Sequence, residues 1–296
     1  MKIFLAMDTS SASQVALEQV VERPWPAASS CEVLSVVEPS HLWTTSEVAV
    51  GAARHAEQVV QRAVARLRSK GWEATGVALS GDPRAVILDR ARSMGADFVV
   101  VGSHGTSAIA KFLLGNVAAT VLRYAPCSVE IVRTRVGKQA SPHALRVLLA
   151  TDGSEYSQLA ARSIAERPWP AGTEVRILSA VELILPATRA LLQPPFIDSA
   201  FLESARTEAM QRSQDAIASA GKILSAAGLT VSESISVLLD TPKAIILAEA
   251  AQWEADLIVL GSHGRRGMDR LLLGSVSEAA ALHAPCSVEV IRKRSE

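Results

Sequence analysis

The chain has 296 residues, with 30 Lys+Arg balanced by 30 Asp+Glu and a hydrophobic fraction of 49%. This length suggests two domains with a sizeable core, and zero net charge gives no support to a nucleic-acid-binding surface or a solvating tail. Divided near residue 137, the halves carry 14 Lys+Arg against 12 Asp+Glu and 16 against 18, so neither is polarised.

Cys31, Cys127 and Cys286 are too few and too scattered for a disulfide framework or a zinc knuckle, so a reducing compartment is expected. The N-terminus is apolar for only five residues before Asp8, too short for a signal peptide. No apolar run approaches the ~18 residues of a membrane span. The expectation is a soluble, cytoplasmic protein.

In chain order, Ile3–Met7 reads as a strand, followed by a helix capped by Ser10 or Ser11 and stopped by Pro24. Glu32–Val37 is a second strand. Val48, Ala52, Ala56, Val59, Ala63 and Leu67 keep the spacing of a long amphipathic helix, which Gly71 ends. Ala74–Ser80 is a third strand, and Asp82-Pro83 opens a third helix that Gly95 stops. The apolar run Phe98–Val101 suits a central parallel strand. A helix from Asn116 to Tyr124 and a strand Ser128–Val132 complete the unit.

The unit is then written again. Arg23-Pro24-Trp25-Pro26 returns as Arg167-Pro168-Trp169-Pro170, an offset of 144. Gly102-Ser103-His104-Gly105 returns as Gly261-Ser262-His263-Gly264, and Ala125-Pro126-Cys127-Ser128-Val129-Glu130 as Ala284-Pro285-Cys286-Ser287-Val288-Glu289, both at offset 159. A domain-sized period means a tandem duplication. The second copy predicts strands at Arg146–Ala150, Val175–Val181, Val231–Leu239, Leu257–Leu260 and Val288–Ile291. Its helices fall near Ser157–Glu166, Asp198–Ala227, Pro242–Trp253 and Ser275–His283. Fifteen extra residues are assigned to the stretch around Leu183–Ile197, a surface loop, a flap or a subunit contact. The division falls at 1–137 and 143–296, across the linker-like Gly137–Pro142. Alternating strands and helices predict α/β architecture: two tandem doubly wound, Rossmann-like domains with parallel sheets.

Ligands of such sheets sit at the carboxyl ends of the strands, where strand order reverses. Two stretches of each copy converge there. One is the end of the first strand, Ala6–Ser10 and Ala150–Ser154; the other is the glycine loop after the fourth strand. Asp8 and Asp152 can accept from a ribose hydroxyl or an adenine amino group, or can simply cap the first helix. Gly261 and Gly264 remove side chains where backbone can approach a ligand, and Gly274-Ser275 opens a helix whose free N–H groups favour anionic oxygens. Arg265 and Arg266 are either phosphate contacts or solvated loop residues. His104 and His263 suit a loop-shaping hydrogen bond better than catalysis or metal ligation, since no second ligand stands at metal spacing. Trp25 and Trp169, between prolines, read as packing anchors, and Cys127 and Cys286 as buried small residues.

The pattern Gly-x2-Gly-x9-Gly-Ser after an apolar fourth strand, with Asp-Gly-Ser ending the first strand, resembles the ATP-binding branch of the universal stress proteins. The resemblance covers essentially the whole chain. It implies a sheet order of 3-2-1-4-5 in each five-stranded domain and bound ATP, with Mg2+. By matching position it implies Ala150, Asp152 and Ala180 at the adenosine, with Leu260, Gly261 and Gly264 at ribose and phosphates. Gly274, Ser275 and Val276 would hold the phosphates, and Arg265 and Arg266 would assist. The first copy's matching residues are Ala6, Asp8, Val36, Val101, Gly102, Gly105, Gly115, Asn116 and Val117. That copy departs at Asn116, where the motif has Ser/Thr, and at Thr9, where the second copy has Gly153. By the same resemblance the fifth strands pair edge to edge, packing the copies as an intramolecular pseudo-dimer; a homodimer is a further implication.

No Walker lysine, carboxylate pair or activated nucleophile marks a committed catalytic apparatus. The sequence therefore suggests an ATP-binding regulatory stress protein. An interaction module that binds no nucleotide, and a slow ATPase or adenylating enzyme, are its rivals.

Overall fold

A computed structural model describes residues 1–39, 46–105, 114–133, 144–181, 199–237, 241–265 and 273–293. The first half contains β1 (Lys2–Met7), α1 (Ser11–Glu22), β2 (Ser30–Val37), α2 (Ser46–Arg68) and β3 (Glu73–Ser80). It continues with α3 (Pro83–Met94), β4 (Phe98–Gly102), α4 (Asn116–Tyr124) and β5 (Ser128–Val132). The second half repeats this order as β6 (Arg146–Ala150), α5 (Glu155–Ala165), β7 (Glu174–Val181), α6 (Ser199–Ala226) and β8 (Thr230–Val237). It ends with α7 (Pro242–Gln252), β9 (Leu257–Gly261), α8 (Ser275–His283) and β10 (Ser287–Ile291). The expected boundary between 137 and 143 and the Leu183–Ile197 stretch both lie outside the described residues.

Local chemistry sets the helix starts. Ser10 caps α1 by accepting from the Ser13 N–H, and Ser154 caps α5 by accepting from the Ser157 N–H. Asp82 caps α3, with Pro83 in the first turn. The aspartates Asp8 and Asp152 therefore stand two residues ahead of the caps, and the first helix does not use them for that purpose.

Each half has strand order 3-2-1-4-5, all parallel, and the two join into one ten-stranded sheet, β3-β2-β1-β4-β5-β10-β9-β6-β7-β8. The join is antiparallel, with Glu130 and Glu289 directly opposite one another. It covers two sheet edges that would otherwise present unpaired backbone groups. One apolar layer runs continuously across both halves and contains Leu34, Val99 and Val129 with Leu148, Ile258 and Val288. On the opposite face each half keeps its own cluster, around Leu5, Leu17 and Leu67, and around Leu149, Ile164 and Leu224.

The register divides the extra residues of the second half differently from the sequence reading. Ser30 pairs with Glu73, whereas Glu174 pairs with Thr230, so 13 of the 15 precede the third strand. The remaining two fall in the sequence between β8 and α7.

At the seam lies a buried ionic cluster built from the repeated Arg-Pro-Trp-Pro and Pro-Cys-Ser-Val-Glu motifs. Arg23 contacts Glu130 at 2.5 Å and Glu289 at 2.9 Å, and Arg167 contacts Glu289 at 2.6 Å and, through its other nitrogen, at 2.9 Å. Gln19 also donates to Glu130. Both glutamates are fully buried. Trp25 and Trp169 donate to the Val20 and Ile164 carbonyls, and the Arg23 and Arg167 guanidinium groups lie 4.4 and 5.0 Å from their ring centres. They are packing anchors, as expected. The three cysteines are buried and unbridged, and burial pushes the Cys31 thiol up to about 12, which makes it a poor nucleophile. Among the described residues no helix is long and apolar enough to cross a membrane.

Candidate functional site

In the second half, β6 and β9 lie side by side, with Ala150 opposite Leu260, and the chain turns away from both at their carboxyl ends. A cavity of about 720 Å3 opens there, within the usual size of small-molecule sites, roughly 300–1,000 Å3. It is lined by Ala150, Asp152, Ala180, Leu260, Gly261, Gly264, Gly274, Ser275 and Val276, together with Arg265. The structure thus gathers in one place every second-half residue that the motif singled out, except Arg266, which lies outside the described residues.

Hydrogen bonds hold the loop. The Gly274 N–H donates to the Ser262 carbonyl at 2.8 Å, and the Arg265 N–H donates to Asp152 Oδ2 at 3.0 Å. Asp152 Oδ1 accepts from the Ser154 N–H at 2.9 Å. His263 shares a 3.0 Å hydrogen bond with Ser262 Oγ through Nδ1, the expected loop-shaping contact. Its buried Nε2 has no partner, and its ring lies 5.0 Å from that of Tyr156. Helix α8 begins at Gly274 with no side-chain cap, which leaves its N-terminal N–H groups available to an anion.

The glycines have more specific duties than close approach to a ligand. A Cβ at Gly261 would lie 2.6 Å from the Tyr156 backbone, so this glycine seats α5 against the end of β9. A Cβ at Gly264 would lie 2.7 Å from Asp152 Oδ2. Gly153 has φ +76, and a Cβ there would crowd Arg265 Nη2 at 3.0 Å and Ala216 at 3.1 Å. Its absence lets Arg265 lie along the first-strand turn.

Residues outside the motif complete the cavity wall. Arg212 and Ser213 come from α6, and Thr241, Pro242, Lys243 and Ile246 from the start of α7. Arg212, Lys243 and Arg265 have no ion-pair partner among the described residues. Asp152 is the cavity's one acidic lining residue among those described, so the described lining carries a net positive charge. The sequence carried a faint signal for both missed cations. Arg212 interrupts the small-residue face of α6, Ala209–Ala216, and Lys243 follows Thr-Pro at a helix start on the ligand-bearing edge of the sheet.

The first half repeats the loop but not its surroundings. Ala6 lies opposite Val101, and Val36 lies on the neighbouring β2. The Gly115 N–H donates to the Ser103 carbonyl at 2.8 Å, and a Cβ at Gly105 would lie 2.8 Å from Asp8 Oδ2. Gly102 is packed against Ala12 as Gly261 is against Tyr156. Asn116 and Val117 open α4, whose N-terminus is likewise uncapped. Asp8 Oδ1, however, is saturated: it accepts from the Ser10 N–H and from the hydroxyls of Ser10 and Ser13. In the second half Ser157, the counterpart of Ser13, bonds the Ser154 carbonyl and accepts from Thr151. Met7 stands where Thr151 stands and offers no such donor.

A model of the universal stress protein family matches residues 1–133 and again 144–292. A universal stress protein of Mycobacterium tuberculosis is 32% identical over 204 residues, covering 68% of this chain and 63% of that protein, less than two thirds of its length. One from Mycolicibacterium smegmatis is 27% identical over 313 residues, covering 99% of this chain and 97% of its own. A crystal structure of a universal stress protein from Archaeoglobus fulgidus shares the fold, with a TM-score of 0.66, 23% identity, and coverage of 99% of this chain and 97% of that one. With two tandem matches spanning nearly its whole length, this chain belongs to the universal stress protein family.

Proposed function

We propose that the protein is an ATP-binding regulator that holds one adenine nucleotide in the second half. The observation that carries this reading is the second-half cavity, which combines an uncapped helix N-terminus with three cations that have no ion-pair partner among the described residues. Ala150, Ala180, Leu260 and Ile246 supply an apolar wall suited to a base, and Asp152 Oδ1, with a single donor, has room for a ribose hydroxyl. Ser275 and the α8 N-terminus suit phosphate oxygens, and Arg265, Arg212 and Lys243 offset their charge.

The residues fit a nucleotide better than a resident metal. No three His, Cys, Asp or Glu side chains come together among the described residues, so magnesium would arrive on the phosphates. The first half, with Asp8 Oδ1 already accepting three hydrogen bonds, is the weaker site in this reading. Calorimetry with ATP, AMP and adenosine tests it. One equivalent of ATP should bind tightly and a second, in the first half, more weakly; at the tight site affinity should fall from ATP to AMP to adenosine. Adenosine binding as tightly as ATP would remove the role given to the cations, and absence of heat with all three would remove the reading.

A further inference from the structure

The two halves exchange arginines. Arg133 directly follows β5, and its N–H donates to Ser287 Oγ of the second half at 3.2 Å. Its Nη2 donates to the Ala281 and Leu282 carbonyls, at 2.6 and 2.9 Å, in the last turn of α8. Arg292, after β10, mirrors it: its N–H donates to Ser128 Oγ, and its guanidinium reaches the Leu122, Arg123 and Ala125 carbonyls at the end of α4. Each helix that opens on one candidate site therefore ends on an arginine from the opposite half.

Carbonyls at a helix C-terminus lack intrahelical partners and carry partial negative charge, so a cation there is stabilising. Arg133 is buried and has no ion-pair partner among the described residues. Burial lowers its pKa, but a guanidinium stays charged in proteins. Helix α8 has nine residues, so at ~1.5 Å per residue this charge acts about 13 Å from the N-terminus.

The exchange is unequal. Arg123 of α4 also pairs, at 2.6 Å, with Glu278 in the first turn of α8. Glu278 would oppose an anion at that helix end, and Arg123 offsets it. The equivalents of this pair, at offset 159, are Leu282 and Ala119, so α4 receives no comparable help.

We propose that Arg133 is a positioning residue for the second site, supplied by the first half: it anchors the C-terminal end of α8 and strengthens phosphate binding at its N-terminus. The inference rests on the nucleotide reading above.

The test uses the full chain and calorimetric titration with ATP, inorganic tripolyphosphate and adenosine, with the tighter step assigned to the second site. Arg133→Met should weaken ATP and tripolyphosphate about two- to five-fold and leave adenosine unchanged. Arg133→Lys should recover part of the loss, and Arg292→Met should leave the second site unchanged. Equal tripolyphosphate affinity in Arg133→Met and the parent overturns the inference. A parallel loss for adenosine, or an equal loss in Arg292→Met, also overturns it, because either marks general loosening of the seam. Should Arg133→Met not fold, Arg133→Gln, which can still donate to the carbonyls but carries no charge, takes over the test. It should weaken tripolyphosphate about two-fold, and no change overturns the inference. A parent protein that binds neither ATP nor tripolyphosphate instead removes the nucleotide reading, and this inference with it.

Discussion

Asp8 and Asp152 occupy the same place in two copies of one fold, yet they meet different surroundings. Asp8 Oδ1 accepts three hydrogen bonds, and Asp152 Oδ1 accepts one. The cations differ too. The ends of α2 and α6 align through matching bonds, Trp72 N–H to the Leu67 carbonyl and Leu229 N–H to the Leu224 carbonyl. Twelve residues before Leu67 stands His55, and twelve before Leu224 stands Arg212. Arg84, the counterpart of Lys243, is held by Asp82 at 2.9 Å, where the second half has Thr241. Matching loop glycines are thus set among unequal electrostatics, and, apart from Asn116, the inequality is written in residues the motif does not contain.

The seam is where this inequality can be broken with the largest effect. Glu289 receives both nitrogens of Arg167 and one of Arg23, whereas Glu130 receives Arg23 and Gln19. Glu289→Gln strands Arg167 and should destabilise the protein by about 3–5 kcal/mol in urea unfolding at pH 7, the usual result of breaking a buried pair. Glu130→Gln leaves Arg23 its second partner and should cost less. Equal losses would mean that the two carboxylates are interchangeable.

Their pH dependence should differ in sign. Burial opposes the Glu289 charge, but Arg167 and Arg23 outweigh it and hold its pKa below the ordinary 4.5. Its contribution is present above about 4.5 and lost as pH falls through the depressed value. Burial, reinforced by Glu289, pushes Glu130 above 4.5 despite Arg23. Its contribution is present below about 4.5 and lost as pH rises through the raised value. The penalty of Glu289→Gln should therefore build up as pH rises towards 4.5 and then level off, while that of Glu130→Gln shrinks above it. Unfolding curves collected from pH 3 to 7 check both slopes.

A smaller effect sharpens the electrostatic difference between the sites. Lys243→Met and Arg212→Met should each weaken ATP about tenfold, the scale of one lost charge-assisted hydrogen bond, whereas Arg84→Met should change nothing measurable. Calorimetry on the three variants decides, and an effect of Arg84→Met comparable to that of Lys243→Met would undo the distinction. Smallest of all, Ser13→Ala frees part of Asp8 Oδ1 and should raise first-site nucleotide affinity about two- to three-fold, on the order of a few tenths of a kcal/mol. Unchanged stoichiometry and affinity would show that saturation of Asp8 is not what separates the sites.

The strand and helix order was legible because it rests on local signals: the apolar run at Phe98–Val101, the cap and proline at Asp82-Pro83, and the duplicated motifs. Most strand ends moved by only a residue or two. The glycine loop was legible as a place, but not as a mechanism. Nothing near Gly261 in sequence reveals that the backbone of Tyr156 fills the space its side chain would need. The pairing of the fifth strands at the seam was expected from the resemblance and is observed, but the ionic cluster there was hidden for a similar reason. Arg23 and Glu289 lie at opposite ends of the chain, and each looked like one member of a repeated motif rather than half of a contact. Arg212 was hidden because its helix position resembles an interrupted apolar stripe, and only the folded sheet turns that position towards the cavity.

The antiparallel join of β5 and β10 bears on the history of the chain. Two identical subunits meeting at such a seam must change together, since any substitution appears on both sides of the twofold axis. Linking the copies in one polypeptide lifts that constraint. Gln19 can face Glu130 while Ser163 holds the corresponding place in the second copy, and Arg123 can meet Glu278 while Leu282 and Ala119 stand in the mirrored positions. Linkage also fixes the pairing at one of each kind, where separate chains would sort into like and unlike couples. A tandem duplication held in one chain thus leaves the two sides of a near-symmetric contact free to specialise.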